Sequence, residues 1–278
     1  MKGSQAVVVY SGGTDSSCAA ALLAERFRRI HLLTFVETAT RGSPLPRANV
    51  ERLRKRFGAD RFEHRVFPID GLLRYWSYDG YLRSLLRHGF FMLATPGFSA
   101  LSWHVRSILY CLEHGIKESA DGLTRELMHF PGHMDAVIGR IRELYRHFGI
   151  TYSNPVREWE TPVDRQFLDH LIVDRHGFLP AGGQSSAKTT GRYLFEKGIF
   201  PRPDVKGSAM DRGMQHDCYP FVVFNMFAFW LYLSRHTYEE YSLRMDLLFK
   251  EKAEDARALI EEYRRSGESS RLAGLLRS

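Results

Sequence analysis

The chain is 278 residues long, 44% hydrophobic and 26% charged, with a formal net charge of +7. That is ample apolar content for one large domain, or for one domain with a smaller lobe. Three cysteines far apart, Cys18, Cys111 and Cys218, argue against a disulfide framework and for a reducing, cytoplasmic setting. The longest apolar stretch, Phe221 to Leu233, is interrupted by Asn225 and is too short to cross a bilayer. Neither a membrane partner nor a signal peptide is expected. The positive balance is mostly arginine, as in Arg52-Leu53-Arg54-Lys55-Arg56. It favours anionic partners: a nucleotide, and either RNA or merely a solvated basic face.

The first element is an apolar run, Ala6-Val7-Val8-Val9-Tyr10, with the composition of a strand. Ser11-Gly12-Gly13-Thr14-Asp15-Ser16-Ser17 follows, and then a helix-forming run from Cys18 to Phe27. A strand, a glycine turn and a helix start together present unpaired backbone amides and the positive end of a helix dipole. Phosphate is the usual occupant of such a junction. Gly12 and Gly13 allow close approach and positive φ. Ser11, Ser16 and Ser17 carry hydroxyl donors. Asp15 makes sense either as a helix N-cap or as a ligand for Mg²⁺ bridging the anions. Gly-x-x-x-x-Gly-Lys-Ser/Thr and Gly-x-Gly-x-x-Gly are both missing, which argues against a Walker-type NTPase and weakens a dinucleotide-binding reading.

The pattern Ser-Gly-Gly-x-Asp-Ser-Ser, complete over residues 11–17, resembles the pyrophosphate loop of the N-type ATP pyrophosphatases, the adenine nucleotide α-hydrolase-like superfamily. That superfamily includes tRNA lysidine synthetases, tRNA thiolation enzymes, GMP and NAD synthetases and 7-cyano-7-deazaguanine synthases. The resemblance implies an α/β fold with a doubly wound, Rossmann-like parallel sheet. It also implies ATP and Mg²⁺ as cofactors. A substrate oxygen would attack the α-phosphorus, pyrophosphate would leave, and a nucleophile would then displace AMP. Ser11, Gly12, Gly13, Thr14, Ser16 and Ser17 would hold the phosphates, and Asp15 would help place the metal.

Further along, Ile30 to Phe35 reads as a second strand, Arg47 to Phe57 as a basic helix, and Phe62 to Phe67 as a third strand closed by Pro68. Strands alternating with helices argue for a parallel sheet with ligands at the carboxyl ends of its strands. Residues 72–93 read as a helical, aromatic-rich insertion. Thr95-Pro96-Gly97 reads as a break, and Ser99 to His114 as an amphipathic helix ended by Gly115. A short strand is expected over Lys117 to Ala120. The following turn, with Gly122, Thr124 and Glu126, is similar to the family's active-site mouth; a plain turn with Thr124 as a helix cap is the alternative. A helix over Gly132 to His147 and a last strand over Gly149 to Val156 follow, then a helix over Val163 to Val173. The resemblance thus spans residues 5 to about 177, and a helical C-terminal region, 178–278, remains.

Gly182 to Arg192 is small, polar and basic. It is either an ordinary loop or a lid whose Lys188 and Arg192 clamp developing negative charge. Phe221 to Leu233 is expected as a buried helix. Tyr238 to Arg265 is expected as a long helix, packed either on the domain or on a second copy as a homodimer contact. Among the twelve histidines, His129 with His133, and His216 beside Asp217-Cys218, have spacings open to zinc, though Pro131 spoils the first pair. The cysteine-rich zinc site of the 7-cyano-7-deazaguanine synthases and the cysteine pairs of many thiolation enzymes are missing. Two functions are in contention: an AMP-forming ligase or modification enzyme acting on a small molecule or RNA, and an adenine-nucleotide sensor without turnover.

Overall fold

The computed structural model describes residues 4–38, 46–125, 130–159, 189–206, 208–214, 224 and 226–277. Five strands, β1 (Gln5–Val9), β2 (Arg29–Val36), β3 (Phe62–Pro68), β4 (Glu118–Asp121) and β5 (Thr151–Ser153), form one sheet in the order β3-β2-β1-β4-β5. Every neighbouring pair is parallel. The chain therefore builds outward from β1 to β2 and β3 on one side, then returns to lay β4 and β5 on the other. The expected doubly wound α/β architecture is the observed one.

Alternation along β1 sends its side chains to opposite faces. Val7 joins Leu33 and Phe35 in one core; Ala6 and Val8 join Ile30 and Leu32 in the other. The first core is covered by α3 (Asp70–Tyr78), α5 (Thr95–His114) and α6 (Asp135–His147), and by the C-terminal helices α9 (Tyr238–Ser266) and α10 (Arg271–Arg277). The second is covered by α1 (Thr14–Ala24), α2 (Arg47–Phe57) and α7 (Thr190–Glu196). Helix α1 is small and almost wholly buried, with Cys18, Ala19, Ala20 and Ala21 excluded from solvent. A stretch this rich in alanine packs close to the sheet and keeps the loop before it near the carboxyl end of β1. Residues on both sides of the expected boundary at 177 share each core: Leu194, Ile199 and Val205 in one, Tyr241, Met245 and Leu248 in the other.

Several expected elements shift. Thr95-Pro96-Gly97 does not break the chain but opens α5, because proline fits the first helical turn, where its missing amide has no partner to lose. The insertion resolves into α3, α4 (Tyr81–His88) and a 3₁₀ turn over Gly89–Leu93. A 3₁₀ turn at Pro131–His133 precedes α6, which starts at Asp135. The last strand is only three residues long. Met226–Tyr232 is π-helical and not wholly buried, since Trp230 and Leu231 face solvent. Helix α9 spends its apolar residues Tyr241, Met245, Leu248, Ala256 and Leu259 on its own domain. The helix expected over Val163 to Val173 lies outside the described residues. Among the described residues no helix is long and apolar enough to cross a membrane.

Candidate functional site

Strand β1 ends at Val9, which sits in register with Leu33 of β2 and Asp121 of β4. The Tyr10 amide still donates to Leu33 O at 2.8 Å; the chain then leaves the sheet and enters α1 at Thr14. Gly12 takes φ +89°, a conformation that favours glycine. Gly13 does not share it: with φ −68° and ψ 172° it is extended backbone, and it serves as the N-cap residue of α1. Asp15 is the second residue of the helix, within its first turn, so the expected N-cap role is not the one it plays.

The loop is held from within and from behind. Ser16 Oγ donates to Gly13 O at 3.1 Å, accepts from Gly12 N at 3.2 Å and meets Ser11 Oγ at 3.1 Å. Ser17 Oγ and Tyr10 OH pair at 3.0 Å. From α2, the fully buried Asn49 donates through Nδ2 to Gly12 O at 2.7 Å, and Arg52 in turn donates to Asn49 Oδ1 at 2.6 Å. The serines expected to face a ligand are thus also the bonds that fix the loop's shape.

Three further side chains come from residues 189–214. Asp211, on the short helix α8 (Ala209–Arg212), accepts through Oδ1 from both Thr14 N at 3.1 Å and Thr14 Oγ1 at 2.6 Å. Thr190 donates to Asp15 Oδ1 at 2.6 Å, and Lys206 Nζ lies 2.8 Å from Asp15 Oδ2. The lid expected over Gly182 to Arg192 puts such contacts on Lys188 and Arg192. Lys188 lies outside the described residues. Arg192 is exposed on α7, and its guanidinium is turned to Glu196 at 2.9 Å. Asn49, Thr190, Lys206 and Asp211 carry no motif that announces them; Ser208 three residues before Asp211 signals only a helix start.

The ends of the other strands gather beside the loop. Gly122, just past β4, packs so tightly on α1 that a Cβ there would strike the backbone of Asp15 and Ser16. Asp121 is buried and accepts from Tyr152 OH, from Asn154 Nδ2 at 2.8 Å and from Leu123 N at 3.0 Å; burial pushes its carboxyl above the usual range. Thr124 is buried, and its carbonyl accepts from Arg157 at 3.0 Å. Arg157 also reaches His133 O at 2.8 Å and Asp135 at 2.7 Å, tying the β4 and β5 exits together. Past β2, Glu37 is buried, accepts from Ser99 Oγ at 2.8 Å and is pushed up by burial, with the Asp70 carboxylate adding to the effect. His64 meets Thr34 Oγ1 at 2.9 Å and is pushed down to about 4 by burial.

For a metal, the geometry is less accommodating. Both carboxylate oxygens of Asp15 are already engaged, one by a hydroxyl and one by an ammonium. Among the described residues no group of three or more His, Cys, Asp or Glu side chains is placed to hold a metal ion. Glu126, His129, His216 and Cys218 lie outside the described residues, and Cys18 is buried in α1.

No protein-family model matches the chain, and no curated protein matches it. One similar solved structure is a predicted subunit of a tRNA methyltransferase from Methanocaldococcus jannaschii. It is 19% identical, with a TM-score of 0.38, over 60% of this chain and 76% of that one. A likeness of that size says nothing about chemistry, so the functional reading rests on the loop and its neighbours.

Proposed function

We propose that this protein binds ATP at the Ser11–Ser17 loop and adenylates a substrate carbonyl or carboxyl oxygen, releasing pyrophosphate before a nucleophile displaces AMP. The observation that supports it most is the loop's place in the sheet. In open parallel sheets, ligands bind beyond the carboxyl ends of the strands where the strand order reverses. Here the order reverses between β1 and β4, and both flanks of that point are built for close approach, by Gly12 on one side and Gly122 on the other. The resemblance of residues 11–17 to the pyrophosphate loop of the N-type ATP pyrophosphatases adds which bond is cut.

In this reading the substrate oxygen forms a bond to the α-phosphorus as the bond from that phosphorus to the β-bridging oxygen breaks. Pyrophosphate carries away the electron pair. The loop amides and the hydroxyls of Ser11, Thr14, Ser16 and Ser17 hold the β- and γ-phosphates, which is positioning and charge neutralisation. Gly122 keeps β4 close to α1, and Thr124 borders the same mouth. Among the described residues, Lys206, 2.8 Å from Asp15, is a cation placed at the loop that could share charge with a phosphate. Mg²⁺ would arrive with the nucleotide's phosphates, because Asp15 as arranged does not offer a free oxygen to it. The acceptor is a small molecule or RNA, and the nucleophile is open.

ATP labelled at the α- and γ-phosphates, incubated with Mg²⁺ and panels of carboxylic acids and bulk tRNA, tests the reading. Labelled AMP and pyrophosphate are the expected products. ADP and phosphate as the only products would overturn it.

A further inference from the structure

We infer that the loop is latched by its own chain: the Asp211 carboxylate stands in for an anion at the start of α1, and a phosphate enters by displacing it. The inference rests on reading the loop as a phosphate site, and it names how that site is regulated.

The Thr14 amide opens α1, an 11-residue helix, and points along the helix dipole toward whatever negative charge sits there. That charge is Asp211, which takes the Thr14 amide and hydroxyl together on one oxygen. Asp211 is 5% exposed and 197 residues away in sequence, so the contact is tertiary. Carboxylate and phosphate oxygens compete for the same kind of donor, and bonds to an ionised acceptor are the stronger kind.

The same stretch of chain secures the rest of the loop. Thr190 and Lys206 hold Asp15, and the Met214 carbonyl, with Pro46 Cβ, packs so close to Gly12 that a Cβ there would strike both. A phosphate set on the Thr14 donors with this stretch in place would meet two carboxylates, Asp211 on those donors and Asp15 beside Lys206. Like charges at hydrogen-bond distance are strongly unfavourable. Withdrawal of Asp211 removes one carboxylate from the site and releases the Thr14 amide and hydroxyl to the incoming anion. The loop is thus shut without ligand and opened by exchange of one anion for another.

Isothermal titration of wild type, Asp211→Asn and Asp211→Ala with inorganic pyrophosphate, and separately with ATP and Mg²⁺, tests this alongside hydrogen exchange. The expected result is about tenfold or tighter binding of pyrophosphate by both variants, roughly the effect of one lost competing interaction. In wild type, saturating pyrophosphate should speed amide exchange over residues 208–214, a readout that needs no variant. Binding by wild type that is unchanged or weakened in Asp211→Asn, with no change in exchange over 208–214, overturns the latch and leaves the phosphate reading standing. Failure of pyrophosphate and ATP to bind wild type and both variants overturns both.

Discussion

The ammonium of Lys206 lies 2.8 Å from the carboxylate of Asp15, and the Lys206 side chain is only 7% exposed. A largely buried pair of this kind is costly to break from either side, because the surviving charge loses the partner that offsets its desolvation. Lys206→Met is expected to destabilise the protein by about 3 kcal/mol. Asp15→Asn is expected to abolish ATP use and to destabilise as well, since it removes the carboxylate 2.8 Å from the buried ammonium. The double variant should be more stable than the sum of the two single losses implies. Urea unfolding of the three variants measures that coupling; strictly additive losses would show that the pair does not act as one.

Glycine is required at two positions around the loop, and for different reasons. Gly12→Ala forces a side chain onto φ +89° and into Pro46 and the Met214 carbonyl. Gly122→Ala drives a methyl group into the backbone of α1 at Ser16, which cannot swing aside as a side chain can. Each should cost roughly 2–4 kcal/mol and weaken pyrophosphate binding more than tenfold. Gly13→Ala, at φ −68°, strains no backbone and should cost less than either. Thermal melts and pyrophosphate titrations of the three variants check the order; equal losses at Gly12 and Gly13 would contradict the conformational argument.

Much of the fold was legible because its signals are local. Val7-Val8-Val9 before two glycines, the basic run Arg47 to Phe57 and Gly115 after an amphipathic run each mark an element through its own side chains, and α2 is observed at its expected ends. The loop was legible for the same reason: seven consecutive residues form it. What surrounds the loop was not, because it is assembled from afar. Asp211 and Thr14 are 197 positions apart, and Thr190 and Asp15 are 175 apart, so no window of sequence contains both partners. Arg192 drew notice as a cation in a polar stretch, yet the helix it sits on turns it to Glu196 and brings Thr190 to the loop in its place.

Asn49 illustrates support without contact to any ligand. Its Nδ2 donates to the Gly12 carbonyl at 2.7 Å inside the protein, with α2 fixing its position and Arg52 fixing its orientation. Asn49→Ala leaves a buried carbonyl without its donor, a loss of about 1–3 kcal/mol. The Gly12 turn should loosen, so pyrophosphate affinity should fall several-fold while the circular dichroism spectrum stays that of the wild type. Affinity unchanged in the folded variant would mean that the loop keeps its shape without α2.

Stability should decline in mild acid, and His104 shows why. Its ring is buried on α5 between Tyr145 and Tyr152, with Nδ1 3.2 Å from Tyr145 OH. Burial pushes its pKa down from 6.5 to about 3. The folded state therefore keeps His104 neutral at pH values where the unfolded chain binds a proton. The sign follows from that difference: the stability is fully present above pH 6.5 and is lost as pH falls toward 3. At pH 5 the loss from His104 alone is about 2 kcal/mol. His31, His64 and His133 are pushed the same way, each to about 4, so they steepen the decline between pH 6.5 and 4. His104→Phe removes one titrating ring while keeping an aromatic in the cluster. Urea unfolding at pH 7 and pH 5 should show a smaller drop for this variant than for wild type, by about 2 kcal/mol. Parallel declines in the two proteins would mean that His104 protonates as readily in the folded state as in the unfolded one.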